Sequence, residues 1–189
     1  MDLVSDFIVL LQQSAFVTMF VVALLGLCIG SFLNVVIYRT PLMMQAQWQD
    51  ECRYLLQDEL ARPYQVEASN NKAISLSFPP SRCPHCAHQI CWYENLPVIS
   101  WLALRGKCSD CKAPISMRYP LVEIITAILS VLVVIKLGVT WQGLAALVLT
   151  WTLVALTGID FDTQLLPDRF TLPLAGLGLW VNAYGLFVS

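Results

Sequence analysis

The chain has 189 residues, of which 57% are hydrophobic and only 13% are charged, and its mean hydropathy is +0.65. These values lie outside the range of soluble globular domains and indicate an integral membrane protein. The formal net charge of −2 and the pI of about 5.6 give no reason to expect nucleic acid as a partner.

Four apolar stretches are long enough, or nearly so, to cross a bilayer as helices, which takes about 20 residues. They cover roughly residues 14–38, 119–135, 137–159 and 170–188. The first is predicted to be a retained helix, because Asp2 and Asp6 stand where a signal peptide carries positive charge. The sequence therefore predicts an all-α polytopic membrane protein with about four transmembrane helices.

The basic residues predict the topology. Nine of the eleven Lys and Arg residues lie in the range 39–118, and the positive-inside rule places that insert in the cytosol. Residues 1–13 are then external, 14–38 form the first transmembrane helix, and 119–189 supply three more with a cytosolic loop at 160–169.

The first half of the insert is polar and is predicted to be largely irregular. Residues 45–62 are compatible with an amphipathic helix that rests on the bilayer or on the rest of the insert, with Trp48 and Tyr54 among its inner side chains. Pro63 and residues 68–71 are predicted to form loops.

Two CxxC pairs lie in the second half of the insert: Cys83 with Cys86 and Cys108 with Cys111. The spacing C-x₂-C-x₂₁-C-x₂-C is typical of a tetrahedral S₄ zinc site. Four thiolates close the coordination shell, so the zinc is predicted to be structural and the unit to be small and zinc-ribbon-like.

Other readings of the cysteine cluster stay open at this point. His85 or His88 could replace one thiolate, a rubredoxin-like iron could replace zinc, and the four thiols could be incidental. Arg105, Lys107 and Lys112 flank the second pair and would offset its negative charge. The remaining cysteines, Cys28, Cys52 and Cys91, are interpreted as ordinary free thiols.

Acidic residues cluster where the third apolar stretch ends. Asp160 follows it directly, and Asp162 and Asp168 come next, with Pro167 predicted to separate the two helices. If the helix persists through Asp162, Asp160 and Asp162 point about 200° apart and cannot share a proton. Asp160 and Asp168 converge only if the chain turns at residues 166–167.

Glu123 lies about one turn into the second stretch and could approach Asp160 or pair with Arg118 or Arg39. An aspartic hydrolase needs two carboxylates close together, one charged and one protonated. Asp160 is the candidate for one of them, and the residues alone do not identify the second.

The end of the first helix carries small and polar residues, and Arg39 is expected to end it. Gly26 and Gly30 form a small-xxx-small face that favours close packing of another helix. Asn34, in an apolar context, is expected to bond across helices. Asn34 and Arg39 are also candidates for ordering a site at the cytosolic boundary.

Several motifs resemble one known family, in chain order and over nearly the whole chain. They are GSFLNVVIYR at 30–39, CPHC at 83–86, ENLPVISWLALRGKCSDC at 94–111, RYPLVE at 118–123 and GIDFDTQLLPD at 158–168. The chain thus resembles the type IV prepilin peptidases, which are membrane leader peptidases and N-methyltransferases of type IV pilus and type II secretion systems.

The resemblance implies a bacterial inner-membrane aspartic endopeptidase. Its substrate would be a prepilin or pseudopilin, cut after a glycine at the cytosolic face and then methylated with S-adenosylmethionine. Asp160 matches the first catalytic aspartate, and Cys83, Cys86, Cys108 and Cys111 match the zinc ligands. The resemblance gives no residues for methyl transfer.

The family's second catalytic aspartate lies in a GxGD motif, and these 189 residues contain none. The sequence therefore predicts a fragment or a C-terminally truncated form, or a chain whose activity is lost or supplied by another chain. The chain alone is not expected to cleave prepilin. The alternative is a non-catalytic membrane scaffold whose zinc module binds pilin or a cytosolic partner. The oligomeric state is not predicted.

Overall fold

Long apolar stretches determine the helices of this protein. The computed structural model describes residues 14–59 and 75–184. Within them it contains one 3₁₀ turn, Trp92–Asn95, and five α-helices. The helices are α1 (Ala15–Glu59), α2 (Ile99–Ala103), α3 (Arg118–Leu137), α4 (Trp141–Thr163) and α5 (Asp168–Ala183). The described residues contain no strand, only two isolated β-bridges.

In the described part of the chain, three helices are long and apolar enough to cross a membrane: α1, α3 and α4. The all-α membrane architecture predicted from composition is therefore confirmed, with an approximate span count. The predicted fourth span at 170–188 overlaps α5, which has 16 residues. Residues 185–188 of that span, and the segment 1–13 predicted to be external, lie outside the described residues.

The first helix was predicted to end at Arg39, and this prediction was wrong, because the helix continues well beyond that residue. It runs through Pro41 to Glu59. The amphipathic helix predicted over residues 45–62 is therefore a continuation of α1 as far as Glu59. Residues 60–62 and the predicted loops at 63 and 68–71 lie outside the described residues. One proline removes a single helix donor. The following residues are good helix formers, with a side-chain bond from Gln47 to Glu51 of 2.8 Å.

Small residues let α1 and α3 approach closely. A Cβ added at Gly26 would lie 2.6 Å from the Cα of Ala127, and one added at Gly30 would lie 2.6 Å from the Cα of Glu123. No real Cβ tolerates such distances, so the two glycines are a packing requirement, as the small-xxx-small pattern predicted. Asn34 donates to the carbonyl of Tyr119 at 3.0 Å, which is the expected bond across helices.

Buried hydroxyl groups on α3 are satisfied within the bundle. Thr126 and Ser130 are fully buried and donate to carbonyls one turn earlier on α3. The indole N–H of Trp151, on α4, donates to the Ser130 hydroxyl at 2.9 Å. This bond fixes α4 against α3 in a region where an unpaired polar group is costly.

A short turn joins α3 and α4, and a longer one joins α4 and α5. Gly138 ends α3 with φ +69°, and the Thr140 hydroxyl caps α4 by accepting from the Gly143 N–H at 3.0 Å. Gln164, in the left-handed conformation, ends α4. The buried Pro167 precedes α5, which confirms the predicted break between the last two helices.

Candidate metal centre and the carboxylates at the helix ends

The two CxxC segments form the same turn twice, 25 residues apart. In the first, the N–H of Cys83 donates to the carbonyl of His88 at 2.9 Å, and the N–H of Ala87 donates to the carbonyl of Cys83 at 2.9 Å. An isolated bridge between Arg82 and Gln89 closes it. Ala87 takes φ +58°, the left-handed conformation that turns the chain back past the second cysteine.

The second turn repeats each of these features. The N–H of Cys108 donates to the carbonyl of Ala113 at 2.8 Å, and that of Lys112, with φ +59°, donates to Cys108 at 3.2 Å. Lys107 bridges Pro114. The two CxxC motifs are therefore a repeat of the same backbone structure.

The four thiols meet in one cluster. Their Sγ atoms all lie within 4.8 Å of one another; Cys83 and Cys111 are 3.8 Å apart, and Cys86 and Cys108 are 4.0 Å apart. A zinc ion with Zn–S bonds of about 2.3 Å places its sulfur atoms roughly 3.8 Å apart in a tetrahedron. The donor set and its spacing therefore fit zinc, as the sequence predicted, and neither histidine is needed as a ligand.

Local electrostatics also favour a bound cation. Backbone N–H groups of Cys86 and His85 point at the thiol of Cys83 and lower its pKa to about 7. The pKa of Cys86 is raised to about 12: the His88 backbone N–H lowers it, but desolvation and the neighbouring thiols Cys111, Cys83 and Cys108 outweigh that effect. Four crowded sulfurs cannot all ionise without a cation, which zinc would supply.

Glu94 joins the two CxxC turns. Its carboxylate accepts the N–H of Cys91 at 2.8 Å and lies 3.3 Å from the Nε2 of His88. The Ser109 hydroxyl, from the second turn, is the largest cause of its lowered pKa, followed by the Cys91 N–H. Sequence reasoning did not identify Glu94; its position three residues after Cys91, at the start of a short helical turn, is the signal that could have done so.

Arg39 attaches the segment before the first CxxC turn to α1. Arg39 is 9% exposed, and its guanidinium donates to the carbonyls of Ser75 at 2.8 Å and Pro79 at 2.7 Å, with longer bonds to Leu76 and Ser81. Five donors in a planar fork suit this cluster of carbonyls. Arg39 was a candidate for ordering a site at the cytosolic boundary, which stays a prediction; in the structure it bonds mainly to the backbone of the insert.

Glu123 attaches the segment after the 3₁₀ turn to α3. Its buried carboxylate accepts the N–H of Val98 at 2.7 Å, so of the partners considered from sequence, Asp160, Arg118 and Arg39, it is bonded to none. Val98 has φ +58° and ψ −45°, and the next N–H bonds back to Pro97 at 2.5 Å. This is a strained γ-turn, held by its bond to a membrane helix.

The three aspartates near the end of α4 have different surroundings. Asp162 forms an ion pair with Arg118, the first residue of α3, at 2.7 Å. Asp160 is exposed in the last turn of α4, directly after the fully buried Ile159, and Asp168 is exposed at the start of α5. Asp160 and Asp162 thus project differently, as the helix geometry predicted.

The site can therefore do two separate things. The sulfur cluster is a closed shell that can hold a metal but offers no position for a reacting water. Asp160 offers an accessible carboxylate at the end of a membrane helix. Asp162 pairs with Arg118, and Glu123 accepts the N–H of Val98, so each of these carboxylates has a partner other than Asp160.

Comparison with known proteins gives a consistent result. Residues 24–137 match the family described as the bacterial peptidase A24 N-terminal domain. The chain is similar to proteins named prepilin leader peptidase/N-methyltransferase. The one from Stutzerimonas stutzeri is 54% identical over 87% of this chain and 55% of the relative. Those from Aeromonas hydrophila (53% identical, 89% of this chain, 56% of the relative) and Pseudomonas aeruginosa (52% identical, 88% of this chain, 55% of the relative) are similar to the same degree. The chain spans about half the length of these relatives. No solved structure matches.

Proposed function

Because the chain belongs to the family of the bacterial peptidase A24 N-terminal domain, we propose that it is the zinc-bearing part of a membrane aspartic endopeptidase. Its substrates would be prepilins or pseudopilins, cut at the cytosolic face of the inner membrane. The match to relatives named prepilin leader peptidase/N-methyltransferase over 87% of the chain carries this proposal. On the strength of the same name, it includes N-methylation of the new N-terminus with S-adenosylmethionine.

Asp160 is proposed as one of two catalytic carboxylates. In such a pair one carboxylate, charged, takes a proton from water, while the other, protonated, donates to the scissile carbonyl as water attacks. The exposure of Asp160 at a helix end, next to the rigidly buried Ile159, suits this role. The second carboxylate is proposed to come from a GxGD segment outside these 189 residues.

The metal centre is proposed to be structural. Cys83, Cys86, Cys108 and Cys111 would hold one zinc ion and fix the fold of the insert, which has little apolar core of its own. Arg39 and Glu123 would then hold the assembled insert against α1 and α3. In this way zinc would determine where the insert meets the membrane helices.

Cleavage of a prepilin substrate tests the proposal. The chain is reconstituted in vesicles with and without a second polypeptide that carries the GxGD segment, and leader removal is followed by mass spectrometry. We expect cleavage only when both are present. Binding of the substrate without cleavage under both conditions would favour the alternative of a non-catalytic scaffold, and cleavage by the chain alone would contradict the division of the catalytic pair.

A further inference from the structure

The insert carries three exposed apolar side chains that the fold leaves uncovered. Leu96 is 42% exposed, Ile99 is 65% exposed and Leu102 is 62% exposed. We call them the apolar ridge. Ile99 and Leu102 are three residues apart on α2 and share one face. α2 has no buried residue at all, so none of its apolar side chains is fully removed from solvent by the described part of the chain.

The ridge is held at a defined height on α3. The Val98 N–H, next to Ile99, bonds to Glu123 at 2.7 Å. Glu123 comes five residues after Arg118, where α3 begins, which corresponds to about 7.5 Å along the helix axis. Helices that lie in a membrane interface bury their apolar face by roughly 5–10 Å. If Arg118 marks the level at which α3 enters the bilayer, the bond at Glu123 places the ridge within this range of depths.

The opposite side of α2 is fixed to the metal module. Trp101 packs over Gly106, where an added Cβ would lie 2.8 Å from its ring, and its indole N–H donates to the carbonyl of Ile115 at 3.2 Å. Because Trp101 faces the second CxxC turn, Ile99 and Leu102 are directed away from it. The ridge is thus attached to the residues that flank the second CxxC turn on one side and to α3 on the other.

Neighbouring residues match the chemistry of a lipid surface. Arg105, Lys107 and Lys112 follow the ridge in sequence and are exposed, with one acid, Asp110, among them. Basic residues near a membrane surface attract anionic headgroups. Tyr119, near the start of α3, is 45% exposed, and exposed aromatic residues near the ends of membrane helices are typical of the interface.

We propose that the apolar ridge inserts into the bilayer interface, so that the metal module is anchored to lipid as well as to α1 and α3. Its partner is one leaflet containing anionic phospholipid. The cations beside the ridge contact the headgroups, while Ile99 and Leu102 contact the upper acyl chains. The proposal depends on the membrane location of α3 and is independent of the proteolytic function.

Photocrosslinking of the 189-residue chain in phosphatidylethanolamine–phosphatidylglycerol vesicles tests the proposal. The variants are Ile99→p-benzoylphenylalanine and Leu102→p-benzoylphenylalanine. Leu153, 49% exposed on α4, is the lipid-facing control, and Asp50, a charged residue on the extension of α1 whose side chain is 77% exposed, is the water-facing control. We expect a lipid adduct by mass spectrometry at both ridge positions and at Leu153, and none at Asp50.

Adding Leu102→Asp to the Ile99 variant should abolish the lipid adduct at Ile99, since a charge on the ridge opposes insertion. An adduct at Ile99 and Leu102 to another part of the chain, to a second copy or to no partner would overturn the proposal. So would an adduct at Ile99 that the Leu102→Asp change leaves unaltered. Circular dichroism of every variant checks that its helices are retained.

Discussion

Replacing Gly30 by alanine should weaken the contact between α1 and α3 measurably. The added Cβ would lie 2.6 Å from the Cα of Glu123, whereas carbon atoms in contact prefer about 3.5–4.0 Å. The helices must therefore separate locally by about 1 Å. Overpacking of this kind costs roughly 1–3 kcal/mol, against which alanine in a helix gains up to about 1 kcal/mol over glycine.

Gly176→Ala is the matched control, because nothing lies within 4 Å of a Cβ added there. It should show the helix-propensity gain alone. The difference in unfolding free energy between the two variants, measured by circular dichroism in a dodecyl sulfate titration of mixed micelles, then isolates the packing cost of roughly 1–3 kcal/mol. Equal stability of the two variants would refute the close approach of α1 and α3.

Three further predictions concern the insert and its contact with the bundle. Cys108→Ser should abolish stoichiometric zinc binding, whose free energy is on the order of 10–16 kcal/mol in small zinc modules. Cys91→Ser should leave zinc binding intact. Metal analysis of the two purified variants distinguishes these outcomes. Because the pKa of Glu94 is lowered in the folded protein, its stabilising contribution is present above the unfolded-state pKa and is lost as the pH falls through the folded one. Acid unfolding of Glu94→Gln should lack that part of the pH dependence, and an unchanged profile would contradict it. The side chains of Arg118 and Asp162 are 40% and 32% exposed. Their ion pair should therefore show a coupling energy of only about 0.2–1 kcal/mol in a double-mutant cycle. A larger coupling energy would mean that the pair is more deeply desolvated than the structure indicates.

The sequence was sufficient to predict those features of the fold and the site that one short motif determines. The CxxC pairs identified the sulfur cluster because ligand identity and spacing are set within four residues. Gly26, Gly30 and Asn34 identified the helix contact because small and polar residues in an apolar helix need a neighbour. Pro167 identified the break between the last two helices because proline cannot continue a helix.

Partners that are distant in sequence were not predictable in the same way. Glu123 had three plausible charged partners along the chain, but it bonds to the backbone N–H of Val98, which no side-chain pattern reveals. Arg39 bonds mainly to carbonyls of the loop that precedes the first CxxC turn. The helix continues past Pro41 because the helix propensity of the residues that follow outweighs one missing donor.

Asp160 is proposed as a catalytic carboxylate because it matches an aspartate of the family motif and lies at the end of α4. Substitution of the neighbouring Asp162 provides a control for this proposal. Asp162 is two residues away and has the same charge, but it is bonded to Arg118, so it serves as an internal control for general effects of losing a carboxylate at this helix end.

The most direct measurement is therefore leader cleavage by the chain together with a GxGD polypeptide, compared between Asp160→Asn and Asp162→Asn. We predict that cleavage is lost in Asp160→Asn and retained in Asp162→Asn. Retained cleavage in Asp160→Asn would contradict the assignment of Asp160 to the catalytic pair.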